Sequence, residues 1–396
     1  MRHIGLDESS VPVEDPYCKL RLNSPVGGWF PALQTLSWSI TESNLPYADL
    51  FFSPHLEEVF IQVSWSLSVL KVPSDILPTI ASTISILPTS TLQVLLVVIN
   101  CRTIPSTYLK DSLSSVVLRC GASLTEFSSP IPLSGAAVNH LIQLPHLRTW
   151  RTRDPPPVYS PSSLPLVFAP LTKFTLEEHA AHGWLYLFKR LQHGVSTTKD
   201  ATPLSRVKES LQTLDIDSFP DPIIDSSFAS TIQMFRNLVS LNVGAHCHDE
   251  NGHGQCAFKL DNDGVNKLAM ALPRLESLFL GRACHENTCA TTVACLLAVS
   301  VCCVKLQELE VHFNTTNITD DFKNISEDPR FRELRSLPRC TVPYLEIYQT
   351  PLTLDEPGLE TVVNGMLNIF PALRWFAGRE QAWDRLNKRI MTLRER

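Results

Sequence analysis

A phrase made of Leu, two residues, an apolar residue, one residue and a second apolar residue returns along the 396-residue chain, often with Pro just ahead of it. It is read in PALQTLSWSI (Leu33, Leu36, Trp38, Ile40), SPHLEEVFIQV (Leu56, Val59, Ile61, Val63), STLQVLLVVI (Leu92, Leu95, Val97, Ile99) and LPHLRTW (Leu147, Trp150). It continues in APLTKFTLEE (Leu171, Phe174, Leu176), SLQTLDI (Leu211, Leu214, Ile216), RNLVSLNV (Leu238, Leu241, Val243) and LPRLESLFL (Leu275, Leu278, Leu280). KLQELEVHF (Leu306, Leu309, Val311, Phe313) and PALRWF (Leu373, Phe376) close the series. With SLTEF and a degenerate copy at PYLEIY, the leading Leu stands at 33, 56, 92, 124, 147, 171, 211, 238, 275, 306, 345 and 373, a mean spacing of about 31 residues.

Inside each copy the apolar residues alternate with period two and so share one face of a short strand. Segments with helical spacing lie between copies, at 108–117, 183–191, 228–235, 264–272, 288–301 and 355–370. A strand–helix unit of this size cannot bury its apolar face alone, whereas stacked neighbours make one continuous core. The expected fold is therefore α/β, an irregular leucine-rich-repeat-like solenoid of about twelve units over residues 1–373, with parallel strands on the concave face and helices on the convex face. A doubly wound α/β domain is the competing architecture. Residues 154–170 carry six Pro in seventeen positions and read as a surface loop insertion. In the last segment, 374–396, Trp383, Leu386, Ile390 and Leu393 keep helical spacing, which predicts an amphipathic capping helix.

With 34 Lys+Arg against 40 Asp+Glu, the net charge of −6 offers no basic footprint for nucleic acid or anionic lipid, and neither partner is expected. The longest apolar run, Val94–Ile99, is too short for a membrane helix and reads as a buried strand. Met1–Tyr17 carries four acidic residues and no apolar run, so neither a signal peptide nor a basic transit peptide is read there, and the expected location is the cytoplasm and/or nucleus. Seven of the 11 Cys crowd between Cys247 and Cys303, an arrangement unlike a spaced disulfide framework, and they are read as thiols.

Ligand-type side chains cluster only at 246–289: His246, Cys247, His248, His253, Cys256, Cys284, His285 and Cys289. Zinc takes four such groups at tetrahedral reach, so a zinc-dependent enzyme built on this cluster, or a nucleotide-dependent one, stays open as an alternative. No Cys-x-x-Cys pair occurs, and Cys packs well as a small hydrophobe. Gly252–Ala257 matches G-x-G-x-x-A, but a dinucleotide fingerprint needs those glycines to open a helix. Here the next helix is expected only near Asp263, read as its N-cap. No catalytic residue, metal or cofactor is assigned, and the chain is read as a non-enzymatic scaffold.

On a solenoid the residues between the buried strand positions form the open face. They are Arg151 and Arg153, Thr175 and Glu177, Asp215 and Asp217, Asn242, Phe279, Glu310, His312 and Asn314. Mixed charge on neighbouring strands suits a protein partner.

LPHLRTWRTRDPPPVYSPSSLPLVFAPLTKFTLEE, LESLFLGRACHENTCATTVACLL, VKLQELEVHFNTTNITDD and the ending PALRWFAGREQAWDRLNKRI resemble the repeat region of fungal F-box proteins of mushroom-forming species. The resemblance implies repeats that present a substrate, behind an N-terminal F-box module that docks on the linker subunit of a cullin-type ubiquitin ligase. No Leu-Pro-rich F-box is recognisable in this sequence, which opens on RHIGLDESS with Ile4 and Leu6 already patterned as a repeat strand. A shortened, non-functional family member is therefore a further alternative.

Overall fold

Each copy of the repeated phrase forms a short β-strand, beginning two residues after most of the leading leucines, and each strand pairs in parallel with a neighbour in chain order. The structure, a computed structural model, describes residues 3–6, 29–40, 45–63, 77–99, 106–153, 169–177, 183–185, 188, 205–218, 224–245, 258–282, 289–327, 339–346, 354–377 and 381–394. No helix among them is long and apolar enough to cross a membrane. By internal contacts the chain divides into two units, Met1–Thr172 with Ala201–Arg206, and Lys173–Asp200 with Val207–Arg396.

The first unit holds β1 (His3–Leu6), β2 (Thr35–Ile40), β3 (Glu58–Val63), β4 (Val94–Ile99), β5 (Glu126–Ser128) and β6 (Thr149–Thr152). Each is parallel to the next. A 3-10 helix, Leu45–Phe51, joins β2 to β3, and α1 (Leu77–Ser85), α2 (Ser106–Arg119) and α3 (Gly135–Gln143) join the later strands. The second unit holds β7 (Lys173–Glu177), β8 (Thr213–Ser218), β9 (Ser240–Ala245), β10 (Ser277–Arg282), β11 (Glu308–Val311), β12 (Tyr344–Glu346) and β13 (Trp375–Ala377), and α4 (Ser205–Ser210) lies between β7 and β8 in the chain. These again run parallel in chain order. Between them lie α5 (Ser226–Ile232), α6 (Asn262–Ala271), α7 (Ala294–Cys302), α8 (Ile318–Glu327) and α9 (Glu356–Ile369), and α10 (Gln381–Arg394) follows β13.

Strand order that never reverses within either unit excludes a doubly wound sheet, which needs a switch point. Each unit is a leucine-rich-repeat-like solenoid segment, α/β, with helices stacked on the helices before and after them. On strands whose side chains are described, the buried phase faces those helices: Leu36, Trp38 and Ile40 on β2, Leu214 and Ile216 on β8, Leu278 and Leu280 on β10. In the second unit Phe174 packs edge-on to Trp184 at 5.2 Å, and Phe188 to Phe235 at 5.3 Å, which fills the layer between strands and helices with rings.

One backbone contact recurs from unit to unit. The carbonyl of the residue after the leading Leu accepts two N–H groups from the next repeat: Gln34 from Glu57 and Glu58, Glu57 from Gln93 and Val94, Gln93 from Thr125 and Glu126. Gln212, Val239 and Glu276 do the same in the second unit. The last such carbonyl is Pro343, which accepts from Arg374 and Trp375. The leading position of that repeat is therefore the fully buried Val342, not Leu345 as the sequence pattern suggests. Leu345 registers with Leu309 and Phe376, one step later in the phrase.

Carboxylate caps begin several helices. Asp225 accepts from the N–H of Ser227 and Phe228, and Asp355 from that of Gly358. α6 starts earlier than its sequence pattern predicts: Asp261 is the N-cap, taking the Gly264 N–H at 2.7 Å, while Asp263 sits in the first turn and pairs with Lys267. At the end of the chain β13 occupies 375–377, inside the segment expected to be helical from 374, and α10 runs from Gln381. Its Trp383, Leu386 and Ile390 are buried, as the spacing predicts. Arg385 and Arg389 form ion pairs with Glu356 and Glu360 of α9.

Candidate interaction face

Side chains of alternate strand residues point away from the helices, and their register lines them up in rows across each unit. In the first unit one row runs Ser37, Phe60, Leu96, Ser128, Arg151, and the row beside it Thr35, Glu58, Val94, Glu126, Thr149. Phe60, Val94, Leu96 and Val98 are half-buried there, while Leu95 and Val97 on the other phase are fully buried. The run Val94–Ile99, read as a buried strand, is thus buried on one face only. Arg151 and Arg153 are exposed.

In the second unit a row runs Thr175, Asp215, Asn242, Phe279, Glu310, Glu346. Asn242 Nδ2 donates to Asp215 Oδ1 at 2.8 Å, a cross-strand bond that holds both side chains flat on the sheet. Asp215, Asn242, Phe279 and Asn314 are half-buried and Asp217 is exposed. Thr175, Glu177, Glu310 and His312 are instead buried, the last two at 2% and 1% exposure, so they offer little surface to a partner. A reason is visible at Gly281, where β10 bulges with φ 78° and a Cβ would come within 2.9 Å of His312 Cβ. The imidazole packs edge-on to Phe258, ring centres 6.5 Å apart. Only glycine adopts that backbone freely, and its missing side chain admits the ring.

A second row, Lys173, Thr213, Ser240, Ser277, Glu308, Tyr344, Trp375, ends on an aromatic pair. Tyr344 and Trp375 stack at 4.5 Å with 18° between their planes, and Trp375 keeps 44% of its surface exposed. Tyr344 Oη donates to Glu346 Oε2 at 2.8 Å, and Ser277 Oγ to Glu308 Oε2 at 2.9 Å. Burial pushes the Tyr344 phenol above its usual range, and the carboxylates of Glu346, Glu310 and Glu308 push it further the same way.

Of the eight side chains considered for zinc, only Cys289 is described. It is buried and its thiol donates to the Thr291 carbonyl at 3.7 Å. His246, Cys247, His248, His253, Cys256, Cys284 and His285 lie outside the described residues, as do Gly252–Ala257 and most of the Pro-rich segment. Among the described residues no group of three His, Cys, Asp or Glu side chains is placed to hold a metal ion. Cys120, Cys295, Cys302, Cys303 and Cys340 stand as thiols.

Phe60, Leu96, Tyr344, Trp375, Glu308 and Glu346 are absent from the residues that the sequence marks for the open face. Their signal was present but indirect: a strand apolar in both phases at 94–99, and large aromatic residues at the outward position of 344 and 375.

The fold and this open row of side chains define a repeat protein of the leucine-rich type. No family model and no curated protein matches the sequence. Among solved structures it is similar to a chain of the crystal structure of the Rad7 and Elc1 complex in yeast, with 11% identity over 89% of this chain and 72% of that chain and a TM-score of 0.39.

Proposed function

We propose that this chain is a non-enzymatic interaction scaffold that binds a protein partner on the strand face opposite its helices, inside the cell, in the cytoplasm and/or nucleus. The observation that carries the reading is the half-exposed apolar patch of Phe60, Val94, Leu96 and Val98 on that face of the first unit. Parallel sheets ordinarily cover both faces with helices, so a parallel sheet with helices on one side and large apolar side chains open on the other has a face suited to a partner. Solenoids use this face for binding because its rows of side chains span many repeats.

The resemblance to the repeat region of fungal F-box proteins supports a finer version, in which the bound protein is a ubiquitination substrate and the wider protein engages a cullin-type ligase. The test is affinity capture with the folded chain, its Phe60→Ser/Leu96→Ser variant and an Ile86→Ser/Met270→Ser variant altered on exposed helix-side positions. A partner retained by the wild type and by the helix-side variant, and lost by the strand-face variant, supports the reading. A partner lost only from the helix-side variant overturns it. Co-purification of the ligase linker subunit with the same partner supports the finer version.

A further inference from the structure

We propose that the end of the strand face in the second unit is a docking site for a basic, extended protein segment, whose Arg or Lys side chain lies on Trp375 with its charge between Glu308 and Glu346. The proposal rests on the scaffold reading above and names the chemistry of the partner.

Three features converge on one spot. The first is the aromatic platform: Trp375 is backed by Tyr344 at 4.5 Å, nearly parallel, so the indole is held in one orientation while nearly half its surface stays open. A ring fixed in advance loses little freedom on binding, and an indole is the best aromatic acceptor for a cation. The second is the register. Glu308, Tyr344 and Trp375 form one row across β11, β12 and β13, and Glu346 stands in the next row, two residues along β12 from Tyr344. Both carboxylates therefore flank the ring pair, Glu308 exposed and Glu346 half-buried. The third is what those carboxylates do in the free protein. Each accepts a neutral hydroxyl, from Ser277 and from Tyr344, which leaves its negative charge uncompensated by those bonds. Negative charge beside an open indole is complementary to a guanidinium or ammonium group, and repels acidic segments and nucleic acid alike.

The rest of that face points the same way. Asp215 and Asp217 lie on β8, and among described side chains the strand-face cation of these rows is Lys173, at the far strand β7. An extended segment crossing the strands would meet carboxylates at β8 and again at β11–β12. Neighbouring strands lie about 4.8 Å apart, so one such crossing needs only a few residues.

The probe is a fluorescein-labelled peptide of four Arg-Ser repeats, compared with the same peptide carrying citrulline for Arg and with one carrying Glu for Arg. Binding is read by fluorescence anisotropy at low salt, with intrinsic Trp emission as a second signal. The expected result is saturable binding of the Arg peptide, at least tenfold weaker binding of the citrulline peptide and none of the Glu peptide. Trp375→Ala and the pair Glu308→Gln/Glu346→Gln each weaken the Arg peptide about tenfold or more, Trp375→Phe retains most of the affinity, and Glu126→Gln in the first unit leaves it unchanged. Unaltered melting of each variant shows that the fold is intact. Equal binding of Arg and citrulline peptides, no binding of the Arg peptide up to millimolar concentration, or affinity indifferent to Trp375 and both carboxylates overturns the proposal. If a captured partner needs Phe60 and Leu96 but not Trp375, the scaffold reading stands and this inference fails; if no partner needs the strand face, the scaffold reading fails first.

Discussion

Gly365 sits where α9 crosses α8, and a Cβ there would lie 2.2 Å from the Phe322 ring, itself 3% exposed. Alanine gains about 1 kcal/mol over glycine within a helix, but forcing an atom into a packed ring costs about 1–3 kcal/mol, and the overlap here is severe enough for the second effect to win. Gly365→Ala is expected to destabilise by about 1–2 kcal/mol in urea unfolding, and Phe322→Leu in the same chain to recover part of the loss. Buried thiols supply a second residue-scale prediction. Burial pushes Cys120 and Cys303 up to about 12, from 9.0 for a free thiol. Near pH 8 only about one molecule in ten thousand carries either thiolate, and the thiolate is the reactive form. Iodoacetamide followed by peptide mapping should leave both unmodified in the folded chain and modify both in guanidinium chloride. The linkage has a definite sign. The folded state holds these protons after the unfolded state has released them, so the stabilisation is complete below about pH 9 and is lost as pH rises from 9 toward 12.

Element by element, the repeat phrase determines strands well and helix edges less well. All its period-two copies are strands, because a Leu-x-x-Leu-x-Leu face has only one way to be buried against helices. β1 is legible in the same way, from Ile4 and Leu6 alone, and its pairing with β2 follows. Two elements misled. At α6 two aspartates stand two residues apart, and either could cap; the one that wins, Asp261, reaches the Gly264 N–H, and the other is placed to pair with Lys267. At β12 the leading position is Val342, so a search for Leu slides the frame by three residues to Leu345. Pro343 adds to the irregularity, since it lacks the N–H that Glu57, Gln93 or Gln307 give to the preceding repeat. Val342→Ala is expected to cost about 2 kcal/mol, more than Leu354→Ala at a half-buried position outside the strands, as read from denaturant midpoints. The open face was legible only in part, because alternation tells which residues point away from the helices but not whether a neighbouring loop covers them. Glu310 and His312 satisfy the alternation and are buried, whereas Trp375 satisfies it and is open.

At the scale of the whole molecule, stability in stacked repeats comes from neighbours, so protection should follow position within each unit. Amide hydrogen exchange is expected to be slowest in β3 and β4 of the first unit and in β8–β10 of the second, which have paired strands on both sides. It should be fastest at β1 and β13, which among the described residues are paired on one side. Exchange at β13 as slow as at β9 would contradict that view of the array. The shared carbonyl that follows most leading positions has a consequence of its own. Where it occurs, it fixes the alignment of a strand from the one before, through two hydrogen bonds that ignore whatever chain lies between them. Segment length is then a free variable: the spacing from one leading residue to the next can run from 23 residues, Leu33 to Leu56, to 37, Leu238 to Leu275, without moving a rung. Such a chain can lengthen or shorten between strands and change what it displays at its rim while the alignment of the rows on its open face stays the same.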